Sequence, residues 1–470
     1  MSDTFPMFGN LILMTDSYKL CHYDMYPQDT EGVYSYFESR KGAQFPFTLF
    51  FGLQYLIKRY LCGEVIFEED IDQTSELVAA HLGNKELFNR KGWEYIVNEY
   101  GGRLPLEIKA VPEGSIIPVD NVLMTVENTD PKCYWLTNYI ETLLTHVWYS
   151  STVATLSKSV KNSMEKFLGE TGDPASINFM LHDFGYRGAT SEEAAGIGGL
   201  AHLVNFMGTD TIAAMRLAVD YYNADLSSLA FSVPATEHSI MTSLGREGEY
   251  QVLDNIMDKY PSGILSVVSD SYDIYKFVDE IVSRKQDIIS RDGRFVVRPD
   301  SITHNHPSPS ELTLWIVKRL WEGYGGHTNS KGYMVLDDHI RVLWGDGIDP
   351  AGINDILKLL KTNMLAAENM VFGMGGGLLQ RVNRDTQRFA FKSSAQKRSG
   401  VWYDVSKSPL DASKTSKAGR FDLAWNSANH AYVTVPEGSR GSDTILRPVF
   451  KDGELLIDDN FSKIRERSNG

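Results

Sequence analysis

From Ile177 onward one pattern recurs: a short apolar run, a loop of Asp, Arg or Gly, and then a helical stretch. Ile264 to Val268 leads to Ser269-Asp270, and Phe295 to Val297 leads to Arg298-Pro299-Asp300. Ile340 to Trp344 leads to Gly345-Asp346-Gly347, and Met370 to Phe372 leads to the run Gly373 to Gly377. Asp270, Asp300, Asp346 and Gly375 lie 30, 46 and 29 positions apart, room each time for a strand and a crossover helix. Such units build a parallel sheet, and loops at the carboxyl ends of barrel strands gather on one face. The expected fold class is α/β: an irregular (β/α) barrel-like domain over residues 151–390, with an additional α+β domain built largely from the N-terminal part, residues 1–150. Residues 391–470 are expected to return to the α+β domain.

Within that frame, Ile177 to Leu181 reads as a buried strand that breaks at His182-Asp183-Phe184-Gly185-Tyr186-Arg187-Gly188, and Ser191-Glu192-Glu193 as a helix start. Earlier, Val33 to Arg40 alternates like a strand, Phe51 to Cys62 reads as an amphipathic helix, Leu104 to Val126 as paired strands and Cys133 to Leu168 as mainly helical. Further on, Pro234 stiffens a segment that presents Glu237 and His238 side by side, and a carboxylate beside an imidazole can fix its tautomer. Taken alone, a single histidine is more often structural, and Asp210 before Thr211 has a rival reading as a helix cap.

Charge narrows the partners. The chain of 470 residues carries a net −15, which argues against nucleic acid. Yet Arg381 to Arg420 holds ten Lys or Arg against three Asp, a local +7 that leaves −22 for the rest. A basic island in an acidic protein suits a small polyanion. No run approaches the ~20 apolar residues of a membrane span, and the start MSDTFPMFGN lacks a basic-then-apolar signal pattern, so a cytoplasmic protein is expected. Cys21, Cys62 and Cys133 are scattered without metal-like spacing, as reduced structural thiols are. His304-Asn-His306 lacks a third ligand at a telling spacing and reads as a polar loop. Val335 to Asp338 imitates the apolar-Asp-Asp start of a known phosphate-binding loop without its Thr and Gly. Gly373 to Gly377 misses the dinucleotide fingerprint because Leu378 takes the third glycine's place, though its backbone N–H groups can still hold phosphate.

The runs HDFGYRG, GTDT and SVPATEHS, followed by SVVSDSYDIY, VVRPDS, GDGID and GGGLLQR with Arg384-Asp385, and TDSYK near the start, resemble the nicotinamide phosphoribosyltransferases of the type II phosphoribosyltransferase family. The resemblance covers nearly the whole chain. It implies condensation of nicotinamide with phosphoribosyl pyrophosphate, giving nicotinamide mononucleotide and pyrophosphate. For the ring it implies Phe184 on one face and Tyr18 of a second subunit on the other, with Asp16 nearby, Asp210 on the amide NH2, and Ser232 and Arg187 on the oxygen side. For ribose and phosphates it implies Ser266, Asp270, Arg298, Asp300, Gly345, Asp346, Gly375, Gly376 and Arg384. Arg40, Arg384, Lys392, Lys407 and Lys414 match positions that hold pyrophosphate or ATP.

The same resemblance implies His238 as a histidine phosphorylated by ATP, with Glu237 and Asp300 as catalytic partners. ATP as co-substrate, Mg2+ carried on substrate phosphates with no protein ligand assigned, and a homodimer with shared sites complete it; neither nucleic acid nor membrane is a partner. Three features depart from the pattern: Ile302 stands where glycine is usual, putting closure of that loop in question; Met374 interrupts the glycine run; and the segment after Arg40 is short, with no long lysine-rich insertion before Phe51. The nearest alternative is a nicotinate phosphoribosyltransferase, which Asp210 disfavours. A carboxylate-based glycosidase leaves the basic island unexplained, and a non-enzymatic binding protein predicts no ATP-labelled histidine.

Overall fold

The computed structural model describes residues 7–410, 415–439 and 443–469. The chain forms two compact units, one of residues 1–155, 220–224 and 383–470, the other of residues 156–219 and 225–382.

The second unit is built on a six-stranded parallel sheet. In spatial order its strands are Gly208–Thr209, Leu181–Asp183, Met370–Met374, Ile340–Trp344, Asp292–Arg298 and Ser262–Val268. The central strand Ile340–Trp344 is buried along its whole length, as an apolar run covered on both faces must be. The two edge strands do not pair with each other. Between them runs 231–236, where Phe231 bridges Gly208 and Ala235 bridges Ser266, both in parallel. Pro234 has no N–H to give, so this segment bonds to one neighbour at its start and to the other at its end. That closes an irregular barrel.

Helices return over the sheet from capped starts. Asp273 takes the N–H groups of Tyr275 and Lys276 and opens Ile274–Ser283. Ser308, with Pro309 at the first helical position, opens Pro309–Tyr324, and Asp349 opens Pro350–Thr362.

The expected strand Ile177 to Leu181 is displaced. Asp173 accepts from Ala175 N–H and Pro174 follows it, which starts a 3-10 turn, Pro174–Phe179, and holds off extended structure until Leu181.

The first unit carries a seven-stranded antiparallel sheet in the order Val401–Asp404, Ala390–Arg398, Thr30–Glu38, Val122–Asn128, Leu106–Ala110, Arg447–Lys451 and Glu454–Leu455. Strands from late in the chain thus flank the three early ones. The stretch expected as an amphipathic helix is shorter and more buried: Leu53–Leu56 is a single α turn with all four side chains buried, continued by a π turn, Ile57–Leu61. Among the described residues no helix is long and apolar enough to cross a membrane.

Candidate active site

Each strand of the parallel sheet delivers one of the expected residues just past its carboxyl end: Phe184 after Asp183, Asp210 after Thr209, Asp270 after Val268, Asp300 after Arg298, Asp346 after Trp344 and Gly375 after Met374. Two cavities lie among them. A polar one of about 750 Å³ is lined by Phe184, Tyr186, Arg187, Asp210, Thr211, Glu237, His238, Ser239, Arg298, Asp300, Gly345 and Asp346. A more apolar one of about 380 Å³ is lined by Phe179, His182, Phe231, Val233, Ala235, Ile264, Val296, Leu343 and Val371, with Ser232, Ser266, Arg294 and Arg341. Phe184, Asp210 and Arg298 belong to both walls and mark where the two meet.

The Phe184 ring lies against glycines. A Cβ on Gly373 would sit 2.0 Å from its Cε2, and one on Gly345 would sit 3.3 Å away. Two positions without side chains at the strand ends therefore leave the room that the ring fills. Beneath it, Asp183 is buried and accepts Gly185 N–H at 2.7 Å, and burial pushes its carboxyl up to about 6. Ser232 donates its hydroxyl to Asp210 at 2.5 Å, leaving the second carboxylate oxygen for a ligand.

On the apolar side, the hydroxyl of Ser266 and Nε of Arg298 are buried without a partner among the described residues. Burial lowers the Arg298 guanidinium from its ordinary value, with Asp300, Asp210 and Asp270 acting against that shift. Ser266, expected among the ribose and phosphate contacts, lines this apolar cavity because it sits within the strand Ser262–Val268 and not beyond its end. His182, two residues before Phe184, lines the same cavity; burial lowers its pKa and keeps it neutral. Position in sequence gave it no role, and only its neighbourhood to Phe184 in the motif pointed toward it.

His238 opens the short helix His238–Met241. Its Nε2 meets Asp270 at 3.2 Å and its Nδ1 lies 4.0 Å from Asp300. Glu237 is turned elsewhere, its carboxylate taking the hydroxyl of Ser239, so the carboxylates that reach the imidazole come from other strands. Asp270 takes a second bond from the Ser301 hydroxyl. Burial raises the Asp300 carboxyl, and the negative charge of Asp270 adds to the rise. Gly375 and Gly376 line neither cavity; a Cβ on Gly375 would meet the Phe184 carbonyl at 3.2 Å, and one on Gly376 would meet nothing within 4 Å.

The remaining expected residues belong to the first unit. Tyr18 is 60% exposed, edge-on to His22, and Asp16 accepts the Thr142 hydroxyl at 2.6 Å. Burial lowers the Lys392 ammonium, and Arg40, Arg384 and Lys407 push it further down against Glu141. Mutual repulsion of that kind marks a cationic cluster that an anion relieves. Arg40 and Arg384 are oriented by the carbonyls of Arg388 and Phe389. Lys414 lies outside the described residues.

Residues 179–454 match the Nicotinate phosphoribosyltransferase (NAPRTase) family, and residues 10–108 match the N-terminal domain of nicotinamide phosphoribosyltransferase. The chain is 42% identical over 472 residues to the nicotinamide phosphoribosyltransferase of Xanthomonas campestris pv. campestris (strain 8004), covering 98% of both chains. It is 33% identical to that of Acinetobacter baylyi, over 96% of this chain and 95% of the other. Among solved structures it resembles nicotinate-nucleotide pyrophosphorylase from Pyrococcus furiosus, with a TM-score of 0.65 at 15% identity over 100% of this chain and 97% of the other. Human nicotinic acid phosphoribosyltransferase gives 0.57 at 13%, over 99% and 93%. At those identities the structures speak for the fold alone, whereas the family match and the full-length relatives carry descent: the chain belongs to the nicotinate phosphoribosyltransferase family, with the N-terminal domain found in its nicotinamide-specific branch.

Proposed function

We propose that the protein is a nicotinamide phosphoribosyltransferase of NAD salvage. It joins the ring nitrogen of nicotinamide to C1 of phosphoribosyl pyrophosphate as the C1–O bond breaks, giving nicotinamide mononucleotide and pyrophosphate. The observation that carries this reading is Asp210, held by Ser232 where the two cavities meet, beside Phe184. An amide donates N–H to that carboxylate, while nicotinate sets like charge against it and forfeits a charge-assisted bond of roughly 1.5–3 kcal/mol. The relatives named for nicotinamide support the same substrate. Phe184 offers a stacking face, and the unmet Ser266 hydroxyl and Arg298 Nε are polar partners for an aromatic amide in a mostly apolar pocket.

At the sugar, Asp300 and Asp346 suit the ribose hydroxyls and the positive charge that develops at C1. Arg298 suits a phosphate oxygen; in the first unit, the cationic cluster of Arg40, Arg384, Lys392 and Lys407 suits pyrophosphate or ATP, and Lys414 belongs with that cluster by its match to the family pattern. Mg2+ enters on the substrate's phosphates, and Asp300, whose carboxyl burial and the charge of Asp270 both raise, is a carboxylate that such an ion relieves. ATP acts as co-substrate by phosphorylating His238. With Nε2–H donated to Asp270, the Nδ1 lone pair attacks the γ-phosphorus, the Pγ–O bond breaks and ADP leaves. The working form is a cytoplasmic homodimer in which Tyr18 of a second subunit covers the free face of the ring.

The test is incubation of the protein with phosphoribosyl pyrophosphate, Mg2+ and either nicotinamide or nicotinate, with and without ATP, identifying the mononucleotide by mass. Amide product alone, increased by ATP and lost in His238→Ala, is expected. Acid product moves the protein to the nicotinate branch, and no product from either ends the reading.

A further inference from the structure

The loop beyond Arg298 departs from the family pattern, with Ile302 in place of glycine and Thr-His-Asn-His after it. Ile302 is not among the residues with positive φ, so its backbone makes no demand for glycine. What holds the loop is a set of side chains outside both cavities. The Tyr275 hydroxyl, on the first turn of Ile274–Ser283, lies 2.6 Å from Thr303 Oγ1 and 2.8 Å from His306 Nδ1, and His306 N–H donates back to Thr303 Oγ1 at 3.0 Å. Trp315, on Pro309–Tyr324, stands edge-on to the Tyr275 ring at 4.7 Å.

The donors close into a ring when His306 carries its proton on Nε2: Thr303 O–H to Tyr275, Tyr275 O–H to His306 Nδ1, His306 N–H to Thr303. This clasp pins the loop two residues beyond Ser301, whose hydroxyl bonds one oxygen of Asp270 while the other oxygen faces His238 Nε2.

We propose that Tyr275, Thr303 and His306 are positioning residues for the histidine chemistry. They fix Ser301, Ser301 fixes the Asp270 carboxylate, and Asp270 holds the His238 tautomer whose Nδ1 is free to take a phosphoryl group. The inference rests on the reading of His238 as the phosphoryl acceptor.

The experiment follows transfer of label from γ-32P-ATP to His238 in the full chain, alongside kcat and KM for nicotinamide. Ser301→Ala, Tyr275→Phe and Thr303→Val are each expected to slow labelling about tenfold, the worth of one well-made hydrogen bond. The KM for nicotinamide stays unchanged, because none of these residues lines a cavity. The double variant Ser301→Ala with Tyr275→Phe is expected to be no slower than the slower single one, since both act through Asp270. Thr303→Ser keeps the hydroxyl and restores the rate, which separates positioning from loss of packing.

Labelling of Tyr275→Phe at the parent rate overturns the proposal, as does a double variant that loses the product of the two single effects. If the parent chain makes mononucleotide yet takes no label, the phosphohistidine reading falls first and the clasp's role falls with it.

Discussion

Gly373 decides where Phe184 can lie. Its missing side chain leaves the volume that the ring occupies, and an alanine there would bring a methyl carbon to 2.0 Å of the ring edge, a distance no packing tolerates. Gly373→Ala is therefore expected to push the ring into the cavity and weaken its stacking. A misplaced aromatic contact costs about 1 kcal/mol, so KM for nicotinamide should rise roughly five- to tenfold. Steady-state kinetics checks this; an unchanged KM would mean that the ring is not the stacking face. Residues of this kind were legible in the sequence where a motif carried them: Phe184, Asp210, His238, Arg298 and Asp300 come together on one rim. What stayed hidden depends on pairs far apart in the chain. Tyr275 meets Thr303 and His306 across 28 and 31 positions, and Asp270 rather than the adjacent Glu237 reaches the His238 imidazole across 32. No spacing rule announces such a meeting, because a third element brings the partners together.

At the scale of elements, the recurrent strand, loop and helix pattern foretold the parallel sheet, since apolar runs of that length have few alternatives once helices follow each one. The closing segment 231–236 was less legible. Its proline forbids continuous pairing, and it reads as a loop until the edges of the sheet are known. Its last residue is tied in by a side chain: Val268 N–H donates to Thr236 Oγ1 at 2.9 Å, and Thr236 N–H donates to Ser266 carbonyl at 2.9 Å. Thr236→Val keeps the shape but strands a buried N–H two residues before Asp270, a loss of about 1–3 kcal/mol, while Thr236→Ser retains the bond. A lower melting temperature and slower turnover are expected for the valine variant, with the serine variant close to the parent. Equal melting temperatures for Thr236→Val and the parent would show that the segment is held by packing alone.

At the scale of the whole chain, the first unit gathers residues from three separate stretches, including 220–224, which no shift in composition sets apart. Its interior contains Glu113, 6% exposed, whose carboxylate takes the Gln54 N–H at 2.6 Å. Burial raises this carboxyl from 4.5 to about 7. A carboxyl whose pKa is higher in the folded state binds its proton more tightly there, so folding is favoured as the pH falls through that value. Between pH 4.5 and about 7 the folded unit holds a proton that the unfolded chain releases, and the full difference is worth about 3 kcal/mol. The melting temperature of the parent should therefore rise on going from pH 8 to pH 6, before general acid denaturation sets in at lower pH. Glu113→Gln removes the ionisation and keeps the acceptor for Gln54, so its melting temperature should vary less over the same interval and exceed the parent's at pH 8. Thermal melts across that range decide the matter: a glutamine variant with the parent's pH slope would mean that Glu113 remains ionised and solvated in the folded unit.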